Sequence, residues 1–569
     1  MKRQKYLAAA LAAAMMLTIC IFGLNGSSRA EQSDGRRFSE IEYVRPNPAV
    51  LADKVSAVTE GLDAGRSERR IIKLLDECYS EYYNCSTMYN VAGIRYFSNL
   101  TDEYYEQEYA ACGESFSNAR QLMEQLYSAC AKSKLAAKLE RDYFWDGFAQ
   151  EYGGDNAVSY SDEAVALMQR ESELLSRYYA LTASPTIVID GVEVDYFDYI
   201  STAGEDEYYN AGMEYYRQYN SAFSEIYIEL IKTRRALAAE LGYDNYEQMQ
   251  YDYYARDYTP AQTAALLEDI KAYIVPLYEE IMAAQPYSQI DYWEMTAERL
   301  MRLLGAVADK LGGTAAEAFD FMLEYELYNV GYDRNKANQS FTSYLDSYDE
   351  PYIFISPYGD TEDVLTLSHE FGHYMDSYIN YNSTLSLDLN ECFSQAMEYI
   401  VTAQGAGIID EAELDSLRRI KFLNTLGIYA EQGSFAEFEN RVYALDDAEL
   451  TAENINAISL AAAREYGCCR SGEEEYFSLS WVDITHFFES PFYIISYAVS
   501  NEAAVQIYEL ELNSPGAGWD KFNELLPRDY QGFIESLEAA GLESPFTAGR
   551  IEHTAENLRA ELCAGQLAA

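Results

Sequence analysis

A chain of 569 residues with 41 lysines and arginines against 94 aspartates and glutamates carries a formal charge of −53. Such a field repels nucleic-acid phosphates and anionic membrane surfaces, so a nucleic-acid partner is excluded, while solubility and cationic peptides are favoured. Length alone would allow about four domains of ~150 residues, but no linker composition, internal repeat or low-complexity tract divides the chain.

The first residues, MKRQK, are basic, Tyr6 to Leu24 are apolar, and Ser28-Arg29-Ala30 offers small residues at a cleavage position. Residues 1–30 therefore read as a secretory signal peptide, with an apolar stretch just long enough to serve instead as an uncleaved anchor. Ile19 before Cys20 argues against a lipoprotein site. The expected location is secreted or extracytoplasmic, or membrane-anchored through this segment, with no other membrane contact. Cleavage leaves 37 basic residues against 94 acidic ones, about −57. It also leaves eight cysteines, at 78, 85, 112, 130, 392, 468, 469 and 563, an even count compatible with disulfides in an oxidising compartment. Cys78 and Cys85 are about 10 Å apart along one helix and too far to bridge.

Residues 31–240 read as a long helical region. DEAVALMQRESELLSRYYALTA (162–183) spaces its apolar residues by three and four, and TIVIDGVEV (186–194) is a hairpin, since two β-branched runs flank Asp190-Gly191. Farther on, Thr259-Pro260 opens a helix as cap and first-turn proline. AAEAFDFMLEYELYNV (315–330) continues the helical pattern. PYIFIS (351–356), bounded by Pro351 and a SPYGD turn, reads as a short edge strand able to hold an extended peptide through its main chain. The 53 tyrosines against 24 phenylalanines are expected on half-buried helix faces, rings packed and hydroxyls wet.

Two of only four histidines lie in VLTLSHEFGHYM (364–375). Residues four apart share a helix face, so His369 and His373 can both aim a ring nitrogen at one tetrahedral cation, and Glu370 on the flank can move a proton as general base. The competing reading is a histidine pair satisfied by hydrogen bonds in a helical core. Gly372 lowers helix propensity by about 1 kcal/mol and implies close packing.

A catalytic zinc site has three protein ligands and an open position. Asp376 and Ile379 stand where a glycine and a third histidine would be needed, so a carboxylate is left. Turn formers in 381–389 end the first helix, and a new periodic run begins at Asn390, with Glu391 in its first turn facing back as the candidate third ligand. Glu398, seven residues on, either orients a ligand or is a solvated glutamate. Cys392 points away and reads as a packed thiol.

His486 precedes the run Phe487, Phe488, Phe492, Tyr493, Ile494, Ile495 and Tyr497. Tyr493 and Tyr497, read as one helical face, offer two phenols to a developing oxyanion, against the alternative of a hydrogen-bonded core cluster. His553 reads as an exposed helix residue.

Three ordered blocks carry a resemblance: PYIFISPYGDTEDVLTLSHEFGH (351–373), NECFSQAMEYI (390–400) and HFFESPFYIISYA (486–498). Together they resemble the thimet oligopeptidase and oligoendopeptidase F family of zinc peptidases, in which a Glu-x-x-Ser-x-x-x-Glu helix, here Glu391, Ser394 and Glu398, follows the HExGH motif. The resemblance, spanning roughly 240–510, implies a mainly α fold: a two-lobed helical shell around a deep substrate channel, with a small β-sheet beside the zinc helix. It implies one zinc ion per chain held by His369, His373 and Glu391, with Glu370 as general acid/base. His486, Tyr493 and Tyr497 would supply transition-state hydrogen bonds. On this reading 241–569 is the catalytic region of a monomeric endopeptidase of oligopeptides. The alternatives are a related zinc exopeptidase, a carboxypeptidase or dipeptidase, and a non-catalytic metal-containing peptide-binding protein. Three departures stand out. His373 to Glu391 is only 18 residues, DRNKANQSFTSYL (333–345) replaces a glycine-rich loop, and Asp376 stands where many relatives have a histidine.

Overall fold

The computed structural model describes residues 35–563 apart from 146, 154–160, 184, 382–385 and 528–531. The signal-peptide reading of 1–30 and the cleavage point lie outside the described residues. The chain is mainly α, with 72 % of residues helical and small sheets, a helical shell as expected. Several helices start where the sequence places a cap. Thr259 accepts from the Gln262 N–H at 3.3 Å while Gln262 reaches back to the Thr259 N–H at 2.9 Å, and Pro260 opens the helix Pro260–Asp269. The hairpin pairs β1 (Thr186–Ile189) antiparallel with β2 (Val192–Asp195) through Asp190 and Gly191, both at positive φ.

Three apolar cores organise the described residues. One packs Leu51, Leu75, Met123 and Phe148 near the N-terminus, and the largest joins the sheet and the helices around 362–404. The remaining core joins Leu174, Tyr178, Phe223 and Tyr227 to Phe438, Trp481, Phe487 and Phe488. The stretch that carries His486 is therefore seated on helices from the N-terminal part of the chain.

The second sheet corrects two expectations. The helix predicted over 315–330 is Gly313–Glu324; the chain turns at Glu326, at φ +56°, and forms β3 (Tyr328–Val330). β3 pairs in parallel with β5 (Glu350–Ile355), which also pairs antiparallel with β4 (Ser340–Leu345). The strand read as an edge is thus the central one, all six of its residues buried, as expected for a strand covered on both faces and both edges. Within 333–345, the Lys336 ammonium donates to the carbonyls of Asn329, Gly331 and Ile355 at 3.0, 2.9 and 2.6 Å and ties β3 to β5.

The eight cysteines among the described residues are free thiols rather than disulfides, each held within helical packing or a loop. Cys392 is fully buried, and burial pushes its thiol up to about 12, as suits a packing residue. No described helix is long and apolar enough to cross a membrane. His553 lies exposed on the helix Arg550–Cys563.

Candidate active site

The motif helix, Glu362–Asn380, starts beside the SPYGD turn. Asp363 gathers that turn, accepting from the backbone N–H groups of Tyr358, Gly359 and Asp360 at 2.8, 2.6 and 3.0 Å. The ligand helix, Leu387–Gln404, is capped by Ser386 and crosses the motif helix at Gly372. A β-carbon at Gly372 would lie 2.5 Å from the Phe393 carbonyl oxygen and 2.6 Å from Ser394 Cα. Glycine is what allows the two backbones to meet so closely, which is the packing its presence in the motif implied.

That crossing brings one donor atom each of His369, His373 and Glu391 within 4.8 Å of one another. His369 Nε2 is 3.8 Å from Glu391 Oε2. The opposite ring nitrogens are committed: His369 Nδ1 pairs with Glu398 Oε1 at 2.8 Å, and His373 Nδ1 with Asn390 Oδ1 at 2.5 Å. Holding a proton at Nδ1 leaves the Nε2 lone pairs free for an ion. Glu398 holds the His369 ring and is not a solvated glutamate. Its other oxygen accepts from Lys421 Nζ at 2.9 Å, and Lys421 is buried over the Tyr399 ring. Burial pushes the His369 imidazole down, but the Glu398 carboxylate outweighs it and lifts the ring to about 9. A cation at Nε2 would compete with that proton.

Glu370, 4 % exposed, lies against β4, where the Thr342 hydroxyl reaches its carboxylate at 2.8 Å and its backbone carbonyl at 2.9 Å. Burial raises its carboxyl above the usual range, although both motif histidines oppose the rise. A basic carboxylate is what proton abstraction near neutral pH requires.

The facing wall comes from 486–497. His486 sits on the short helix Thr485–Glu489; Tyr493 lies in the turn that follows, and Tyr497 in the first turn of the helix Ile495–Asn513. The two tyrosines therefore do not share a helical face: the helix starts only at Ile495, and Tyr493 lies before it, next to Phe492 at φ +62°. The turn still brings them together, ring centroids 5.4 Å apart and 5.3 and 6.0 Å from the His486 ring. Tyr493 donates to Glu391 Oε1 at 2.7 Å, whereas the Tyr497 hydroxyl stands 3.4 Å from His486 Nε2. Burial pushes the His486 imidazole down to about 4, so it is neutral at physiological pH. Its Nδ1 finds no hydrogen-bond partner among the described residues.

Sequence reasoning missed Asn390, Thr342 and Lys421. Asn390 directly precedes a proposed ligand, which could have drawn attention to it; Thr342 and Lys421 carry no local signal.

Sequence and fold match known proteins. Residues 38–150 match the peptidase M3 N-terminal domain and residues 326–526 match peptidase family M3, together more than half of the chain. Oligopeptidase PepF of Bacillus subtilis (strain 168) is 25 % identical over 248 residues, 41 % of this chain and 36 % of that protein. An oligoendopeptidase F homolog of Borreliella burgdorferi is 28 % identical over 178 residues, 28 % of this chain and 29 % of its own length. The chain thus aligns with about a third of the length of these relatives. The structure of PZ peptidase A with an inhibitor superposes with a TM-score of 0.78 at 22 % identity, covering 93 % of this chain and 99 % of that one, which shows a shared fold. The chain belongs to peptidase family M3.

Proposed function

We propose that the protein is a zinc-dependent endopeptidase that hydrolyses internal bonds of oligopeptides, acting outside the cytoplasm. The observation that supports it most is the convergence of His369, His373 and Glu391 within 4.8 Å, with Glu370 between the histidines on the same helix. The donor set fits a divalent ion of borderline softness: two imidazole nitrogens and one carboxylate, the three protein ligands of a catalytic site. Both histidines already have their far nitrogens held. Such an ion supplies Lewis acidity to a peptide carbonyl and to water.

The chain's own groups do the rest. Glu370 takes the proton of the attacking water and delivers it to the leaving amine nitrogen, with the Thr342 hydroxyl fixing its carboxylate. Tyr493 is committed to Glu391 and steadies that ligand, so Tyr497 is the phenol free to donate to the oxyanion, joined by neutral His486. With β5 central, β4 is the edge strand beside Glu370 and the better place for an extended peptide to align. Export is supported by the basic and apolar order of residues 1–30.

The test is digestion of a quenched peptide library by the wild type and Glu370→Gln, both carrying metal, with products read by mass. Internal cleavage that falls by at least about 10² to 10³ in the variant is expected for loss of a general base. Removal of single terminal residues would move the assignment to an exopeptidase. Metal retention without any cleavage would leave a binding protein.

A further inference from the structure

Phe492 is held in a conformation that a bulky residue adopts only when its surroundings enforce it: φ is +62°, in the left-handed region. Both of its backbone polar groups end on buried ionisable side chains from distant parts of the chain. Its N–H donates to Glu439 Oε2 at 2.8 Å, and its carbonyl accepts from Arg256 Nη2 at 2.7 Å. The same Arg256 nitrogen donates to Ser496 Oγ at 2.8 Å, one residue short of Tyr497. The preceding carbonyl, of Pro491, accepts from the Tyr254 hydroxyl at 3.2 Å.

Glu439 is 1 % exposed and Arg256 9 %. The Arg256 guanidinium lies over the rings of Tyr251, Tyr254 and Tyr258, at 4.5, 5.0 and 5.6 Å. Burying a carboxyl and a guanidinium is expensive, and Glu439 Oε1 and two further Arg256 nitrogens have no partner among the described residues. Their placement on opposite sides of one residue, just before Tyr493, gives that expense a purpose. Were Phe492 to relax to negative φ, the chain leaving it would rotate, and Tyr493 would leave Glu391 while Tyr497 left His486.

We propose that Glu439 and Arg256 are positioning residues that clamp the backbone at Phe492 and so hold the Tyr493 and Tyr497 hydroxyls toward Glu391 and His486. The inference rests on reading 486–497 as the substrate-facing wall of a peptidase site. Neither side chain needs to touch substrate for this role.

The experiment pairs peptide hydrolysis with amide hydrogen exchange on the full-length protein. Glu439→Ala removes the acceptor and is expected to lower kcat about 10- to 100-fold, the scale of a misplacement near 1 Å, while KM stays within about twofold. Glu439→Gln keeps an acceptor oxygen and should retain activity within about threefold. In Glu439→Ala, amides of 488–498 should exchange faster while those of 362–380 and 387–404 keep their wild-type rates. A folded Glu439→Ala with unchanged kcat and unchanged exchange at 488–498 overturns the clamp, and so does exchange that rises equally everywhere. Should Glu439→Ala not fold, Arg256→Gln leaves the acceptor in place, fills much of the same space and carries the same two readouts. If the wild type cleaves no peptide, the exchange arm still decides the clamp, and only the peptidase reading falls.

Discussion

The helices that gather His369, His373 and Glu391 and the segment from His486 to Tyr497 face each other across one site, yet they are held in shape by different means. On the metal side the backbone is regular. Helix periodicity puts both histidines on one face, Gly372 lets the second helix approach, and each ring is steadied by a residue of the ligand helix. On the opposite side the chain is a short helix, a left-handed residue and a new helix start, steadied from afar. Arg234, fully buried, donates to the carbonyls of both Phe487 and Phe488 from the N-terminal half of the chain. The geometry of the three candidate ligands is thus set mostly by helix periodicity and one helix crossing, while the segment proposed to face the oxyanion depends on residues more than fifty and up to about two hundred and fifty positions away. Damage to the first should appear as lost metal, and damage to the second as lost turnover with metal retained.

The sharpest separation is expected from the tyrosines. Tyr497→Phe should lower kcat by about 10² to 10³, the scale of one oxyanion donor, with metal content unchanged by elemental analysis. Tyr493→Phe frees Glu391 Oε1, so it should also weaken metal binding, by about 10- to 100-fold. Identical behaviour of the two variants would erase the distinction drawn between them.

On the metal side, Lys421→Met removes the ammonium that neutralises Glu398 and loosens His369. Metal affinity in a chelator competition should fall about 10- to 100-fold. An unchanged affinity would show that the ligand helix orients its histidines without this buried charge pair. Gly372→Ala forces a methyl against the Phe393 backbone and should destabilise the fold by about 1–3 kcal/mol in urea unfolding. Full stability would mean that the helix crossing yields more easily than its geometry implies.

The smallest effect concerns the clamp and pH. Burial pushes the Glu439 carboxyl up to about 8 from an ordinary value of 4.5, against the pull of Arg234 and Arg256. Between those values the folded protein keeps a proton that the unfolded chain has released, so stability falls as pH rises through this window and levels off above it. Glu439→Gln should flatten that part of the curve. Between pH 6 and 7 the difference in slope is at most about 1.4 kcal/mol. Parallel curves for the two proteins would show that Glu439 is already ionised there.

The expectations that the structure corrects follow the same division. The tail of AAEAFDFMLEYELYNV kept a helical pattern although its last three residues form β3. With β3 hidden, the strand at 351–356 looked like an edge, when it is the centre of a three-stranded sheet. The spacing of Tyr493 and Tyr497 predicts one shared helical face, but the helix begins only at Ile495 and leaves Tyr493 in the turn before it. Spacing leaves Glu398 two roles, and Lys421 and His369 on either side of it decide between them. In each case the deciding partner lay elsewhere in the chain.

Sequence alone determined the helical class, the hairpin, the Thr259 cap, the motif helix with its histidine pair and the glutamate that follows. Each depends on the period of a single element or on a cap within a few residues, where the backbone's own geometry settles which side chains are neighbours. Tertiary structure decided which strand is an edge, which tyrosine is committed to Glu391, what orients His369, and why Phe492 can sit at positive φ. Those outcomes depend on contacts between residues far apart in the chain, and such contacts arise only when burying the apolar cores brings the elements together.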